Sequence, residues 1–75
     1  MIRLGSHIRL TRREIARFTR ITAIEPAAIR TLADLDDYVA RCKSHYWGVL
    51  RETQFLHWLI DREYRHCQGQ VRVAA

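Results

Sequence analysis

The stretch LTRREIARFTRIT, Leu10 to Thr22, decides how this chain folds. Thr11 and Glu14 have the spacing of a capping box, in which the hydroxyl serves the third helical amide and the carboxylate reaches back to the cap. At about 100° per residue, Thr11, Ile15, Phe18, Thr19 and Thr22 share one face. Arg13, Arg17 and Arg20 fall opposite, with Arg9 just ahead of them. The spacing predicts an amphipathic helix with a small apolar stripe turned inward and a guanidinium stripe turned outward.

Downstream, Ile21 to Pro26 reads as a connection. Glu25 precedes a proline and is biased away from helix, while Pro26 suits a first helical position. A second helix starts at Pro26 or, from the Thr31 and Asp34 capping signal, at Leu32, and runs to about Tyr46. Ala28, Leu32, Leu35, Val39, Cys42 and Tyr46 form its apolar stripe, and Gly48 is the expected stop. A third helix runs from Leu50 or Thr53 to Gln68 and ends at Gly69. Phe55, Leu56, Leu59, Ile60 and Cys67 give it a wide buried face, and Asp61 with Arg65 an exposed i,i+4 pair.

Upstream, residues 1–10 hold an internal echo, IRL-GSH-IRL. Gly5-Ser6 can turn a hairpin, but arms of three residues are marginal on their own. A poorly ordered arm or a short extended segment is expected. The fold class is therefore all-α: a three-helix domain over residues 1–75, with 1–10 an arm, 11–68 the helical core and 69–75 a tail.

A chain of 75 residues buries only about 60% of its unfolded surface, so its core is small and partner surfaces matter. Its 48% hydrophobic content is that of a globular chain. No apolar run approaches the roughly 20 residues of a membrane span, so no membrane insertion is expected. No apolar segment of a secretory signal follows the first arginines. Two cysteines are too few for a disulfide scaffold, and reduced thiols fit a cytoplasmic protein.

The charge is uneven. Residues 1–30 carry seven arginines against Glu14 and Glu25, which equals the whole net charge of +5. Such asymmetry asks for an anionic partner on the basic side. Of the 13 basic residues 12 are arginine, whose fork holds phosphate and carboxylate bidentately.

Residues 11–30 meet part of another pattern. A small residue, Ala16, lies in "EIA"; Ile21 falls at a buried turn position; Ile29 falls at a late buried position of a following helix. On these residues the segment resembles the helix-turn-helix family of DNA-binding regulators, over about a quarter of the chain. The resemblance implies that Ala16 is buried, that the helix after Pro26 enters the major groove, and that the protein regulates transcription. The segment departs from the family at Arg20, where glycine is common, and at Pro26, where an aliphatic residue is usual. Arg30 is the one strong base reader of that helix, and Asp34, Asp36 and Asp37 follow it. A motif-free alternative lays Arg9, Arg13, Arg17 and Arg20 along a phosphate backbone. The plainest alternative is a solvated charged face.

Cys42, His45, His66 and Cys67 are potential zinc ligands, but His66 and Cys67 point about 100° apart on one helix. His57 and Asp61 have i,i+4 spacing, with no nucleophile or phosphate-loop motif beside them. Neither pattern makes a catalytic residue, a metal site or a cofactor site, and no enzyme is expected. Tyr46, Trp47 and Trp58 suit a partner surface as well as they suit a small core.

The sequence thus points to a small basic protein that binds nucleic acid, duplex DNA before other forms, through Arg9, Arg12, Arg13, Arg17, Arg20 and Arg30. The alternative is a protein-interaction module, an inhibitor or adaptor and a possible homodimer. It would meet an acidic protein surface through the basic face or dock through Tyr46, Trp47 and Trp58.

Overall fold

The computed structural model describes residues 1–73. The chain runs β1 (Ile2–Leu4), β2 (His7–Arg9), α1 (Arg12–Thr22), α2 (Leu32–His45), α3 (Arg51–Gly69) and β3 (Arg72–Val73). The protein is mostly helical, with three helices and a small sheet, and is not strictly all-α.

The expected arm is an ordered hairpin. β1 and β2 pair antiparallel, Ile2 opposite Arg9 and Leu4 opposite His7. Gly5 takes φ +60° at the first central position of the turn, which a primed hairpin turn asks for and glycine supplies without strain. Three-residue strands hold here because they are anchored: Met1, Ile8 and Leu10 are buried in the main core. The expected tail also pairs. β3 lies parallel to β1, Ile2 beside Arg72, which gives the strand order β2-β1-β3. The last two residues of that tail, 74 and 75, lie outside the described residues.

Both capping boxes form. Glu14 N–H donates to Thr11 Oγ1 at 3.2 Å and Thr11 N–H to Glu14 Oε1 at 2.8 Å. Asp34 N–H donates to Thr31 Oγ1 at 3.2 Å and Thr31 N–H to Asp34 Oδ2 at 3.0 Å. The Arg30 N–H adds a further 3.0 Å bond to that carboxylate. These backbone donors, from Arg30 and Thr31, hold the Asp34 carboxyl below its ordinary pKa.

The core joins Phe18 of α1, Leu35, Tyr38, Val39 and Cys42 of α2, and Ile60 and Cys67 of α3. Phe18 and Tyr38 meet edge to face with ring centroids 5.4 Å apart. Thr22, fully buried, ties the end of α1 to α2. Its hydroxyl donates to the Phe18 carbonyl at 2.7 Å, lies 2.9 Å from the Tyr38 hydroxyl and accepts the Ile24 N–H at 3.1 Å. Tyr38 donates to the Ile24 carbonyl at 2.6 Å and Tyr46 to the Thr22 carbonyl at 2.5 Å. Burial pushes the Tyr38 phenol well up.

Five expected details of the helices change. Leu32 is exposed and Ala28 lies outside any helix, while Tyr38 takes a core position. Phe55 is exposed, because Leu56, Ile60, Glu63 and Cys67 turn the other side of α3 inward. Asp61 pairs with Lys43 of α2 at 2.6 Å and not with Arg65. Tyr64 donates to Asp36, a second tie between α2 and α3. Burial, with the Asp36 carboxylate beside it, pushes the Tyr64 phenol up to about 12.

Candidate nucleic-acid interface

α1 places Arg12, Arg13, Arg17 and Arg20 on one outward arc, and all four are exposed. They face out because the opposite arc is filled by Glu14, Phe18 and Thr22, with Ile15 and Ile21 half-buried beside them. Among the described residues Arg17 alone of the four has a carboxylate partner, Glu63, at 3.6 Å. Glu14, an acid on a basic helix, is turned inward: its Oε2 accepts from the Met1 ammonium at 2.7 Å.

Arg9 and Arg30 are exposed too, but they belong to the sheet side of the molecule. Arg9 closes β2. The Arg30 carbonyl accepts the Ile8 N–H at 2.8 Å, and Thr31 bridges to His7. This pairing removes the helix-turn-helix geometry. Residues 26–30 form no helix; Arg30 at their end meets β2, and Ala28 sits at φ +57°. Ala16, the expected buried contact, is exposed among the arginines. There is no recognition helix for Arg30 to read from.

The structure adds cationic residues that the N-terminal charge count passes over. An open groove of about 570 Å³ between α1 and α3 is lined by Arg17 and Ile21 on one side and by Leu59, Arg62, Glu63, Arg65 and His66 on the other. Placing α3 on a helical wheel is the signal that finds them: Arg62 and His66 stand on the side away from Ile60. Guanidinium groups flanking a groove can hold an anionic oxygen pair bidentately.

Trp47 is 83% exposed, in the connection between α2 and α3. Trp58 is 49% exposed on α3. Tyr46 differs from both. It is half-buried and its hydroxyl is committed to the Thr22 carbonyl, so it serves the core.

The other constellations do not assemble. His57 Nε2 sits 2.8 Å from the Tyr46 carbonyl, and Asp61 is taken by Lys43, so the two form no acid–base pair. Cys42 and Cys67 are buried while His45 and His66 are exposed, and among the described residues no three metal-ligating side chains converge. Burial, with Glu14 and Glu63 beside it, pushes the Cys67 thiol well up and leaves it a poor nucleophile. No helix of the described residues is long and apolar enough to cross a membrane.

Comparison with known proteins finds no matching family, no similar curated protein and no similar solved structure.

Proposed function

We propose that the chain is a non-enzymatic nucleic-acid-binding protein that tracks the phosphate backbone of duplex DNA along the outward face of α1, in a regulatory role. One observation carries this reading: Arg12, Arg13 and Arg20 are exposed on a single arc and have no carboxylate partner among the described residues. Backbone contact of this kind positions a protein on DNA and reads little sequence. Arg9 and Arg30, on the sheet side, are accessory contacts in this reading. The two free, buried cysteines suit a reducing cytoplasm.

The test is binding to duplexes of unrelated sequence across a salt series. Wild type is expected to bind them alike and to lose affinity steeply with salt. Arg13→Ala with Arg20→Ala should weaken binding to every duplex and flatten the slope by about 0.9 for each phosphate no longer neutralised. Unchanged binding in that double variant removes the reading.

A second reading, docking on another protein, rests on Trp47 and its neighbours Val49 and Leu50, all exposed. It expects association that survives high salt and is abolished by Trp47→Ala.

A further inference from the structure

The outward face of α3 carries an arrangement that duplex binding does not use. Phe55 and Trp58 stack, with ring centroids 5.8 Å apart and planes 19° from parallel. The Arg62 guanidinium stands over the Trp58 ring, 5.4 Å from its centroid. The three planar groups make a ladder on the outside of the helix, with Phe55 58% exposed at its free end. Arg51 lies one turn before Phe55, and Arg65 and His66 continue the same side. From Arg51 to Arg62 the ladder spans about 16 Å at a rise of about 1.5 Å per residue. Within about 60° of the centre of this arc α3 has no acidic residue.

We infer that this face binds single-stranded nucleic acid, a base stacking on the free face of Phe55 beside Trp58 and the phosphates held by Arg51, Arg62 and Arg65. Every base has a π-face, and exposed aromatics set among cations are how sequence-tolerant single-strand sites are built. Duplex DNA keeps its bases stacked within itself and gains nothing from these rings. A second copy of the chain fits poorly, because a two-fold contact here would set the arginines of one copy against those of the other. A membrane surface fits poorly as well: an interfacial helix inserts a continuous apolar face, and the apolar face of α3 is spent on the core. This inference goes beyond the α1 reading and does not depend on it.

The experiment uses the full chain with Trp47→Phe, so that Trp58 is the one indole. Short oligo(dT), oligo(U), an abasic oligomer of equal length, a duplex and phosphatidylserine vesicles are each titrated against its fluorescence. Both oligo(dT) and oligo(U) are expected to quench Trp58, and the abasic oligomer is not. Phe55→Ala should lower oligo(dT) affinity roughly 5- to 150-fold, the range for one base–aromatic stack. Phe55→Leu, which keeps apolar bulk without a ring, should fall in the same range. Arg62→Gln should flatten the single-strand salt slope by about 0.7. Thermal midpoints should hold, because these side chains are exposed. Parental affinity in the Phe55 variants, equal binding of the abasic oligomer, or a response to vesicles alone would each overturn the inference. Arg13→Ala with Arg20→Ala should leave the oligo(dT) result in place, so the two readings fail separately.

Discussion

Arg17 Nη1 stands 3.6 Å from Glu63 Oε1, which makes Arg17 both a member of the outward stripe and a clasp between α1 and α3. Its side chain keeps 45% of its exposure while the Glu63 side chain keeps 12%. The arginine can be given up to solvent; the carboxylate cannot.

Arg17→Ala is therefore expected to act twice. It should lower duplex affinity, like Arg13→Ala, and it should also cost about 1 kcal/mol of stability by leaving Glu63 without its cation. Arg13→Ala and Arg20→Ala should leave stability within about 0.5 kcal/mol of wild type. Urea unfolding of the three single variants checks this; equal stability in all three would show that the clasp adds nothing.

Thr22→Val removes a buried hydroxyl that serves Phe18, Ile24 and Tyr38 together. A loss of about 1–3 kcal/mol is expected, since the Ile24 N–H loses its acceptor. In a domain of this size each kcal/mol is about 4–8 °C of thermal midpoint. Tyr38→Phe should cost less, because the Ile24 carbonyl loses its short bond but keeps Thr22 close by. A thermal midpoint unchanged by Thr22→Val would mean the hub is passive.

Glu14 sets an acid limb. Burial would raise its carboxyl, but the Met1 ammonium and the Thr11 N–H outweigh burial and hold it below its ordinary 4.5. A carboxyl lowered in the folded state adds stability that is fully present above its unfolded value and is lost as pH falls through the folded one. Glu14→Gln should thus be less stable than wild type at pH 7 by about 1–3 kcal/mol, with the gap closing in acid. Urea midpoints between pH 7 and pH 2 measure it; a constant gap would assign the loss to packing.

Two glycines should respond in opposite directions. Gly48 sits at φ +146°, where a side chain is strained, although a Cβ there would meet Thr53 Oγ1 at an ordinary 3.5 Å. Gly48→Ala should cost about 1–2 kcal/mol from the backbone alone. Gly69 is helical with open space around it, and Gly69→Ala should gain up to about 1 kcal/mol. Thermal melts of both variants decide it, and a stabilised Gly48→Ala would refute the strain argument.

The helices are legible where signals are local. Thr11 with Glu14 and Thr31 with Asp34 fix two starts, since a capping box is closed within four residues. The outward arc of α1 follows from spacing. What stays hidden depends on partners far along the chain. Residues 26–30 carry nothing that announces a neighbour in β2, so a helix there reads as well as the linker that forms. Gly5-Ser6 announces a turn, but whether short strands hold depends on burial of Met1, Ile8 and Leu10. The basic surface is half legible. A segment count of charge finds the α1 arginines and misses Arg62 and Arg65, whose own segment is balanced by acids that point elsewhere. Phe55 reads as inward because it is apolar, and only the choice of Leu56 and Ile60 as the packed side puts it outside.

β3 joins β1 across nearly the whole chain, Ile2 beside Arg72. Closing so long a loop is slow compared with forming a hairpin or a helix. The hairpin and helices can therefore take shape while the chain is still being synthesised, and the edge of β1 stays open until Arg72 and Val73 arrive. β1 completes its pairing on that side only once β3 has been made.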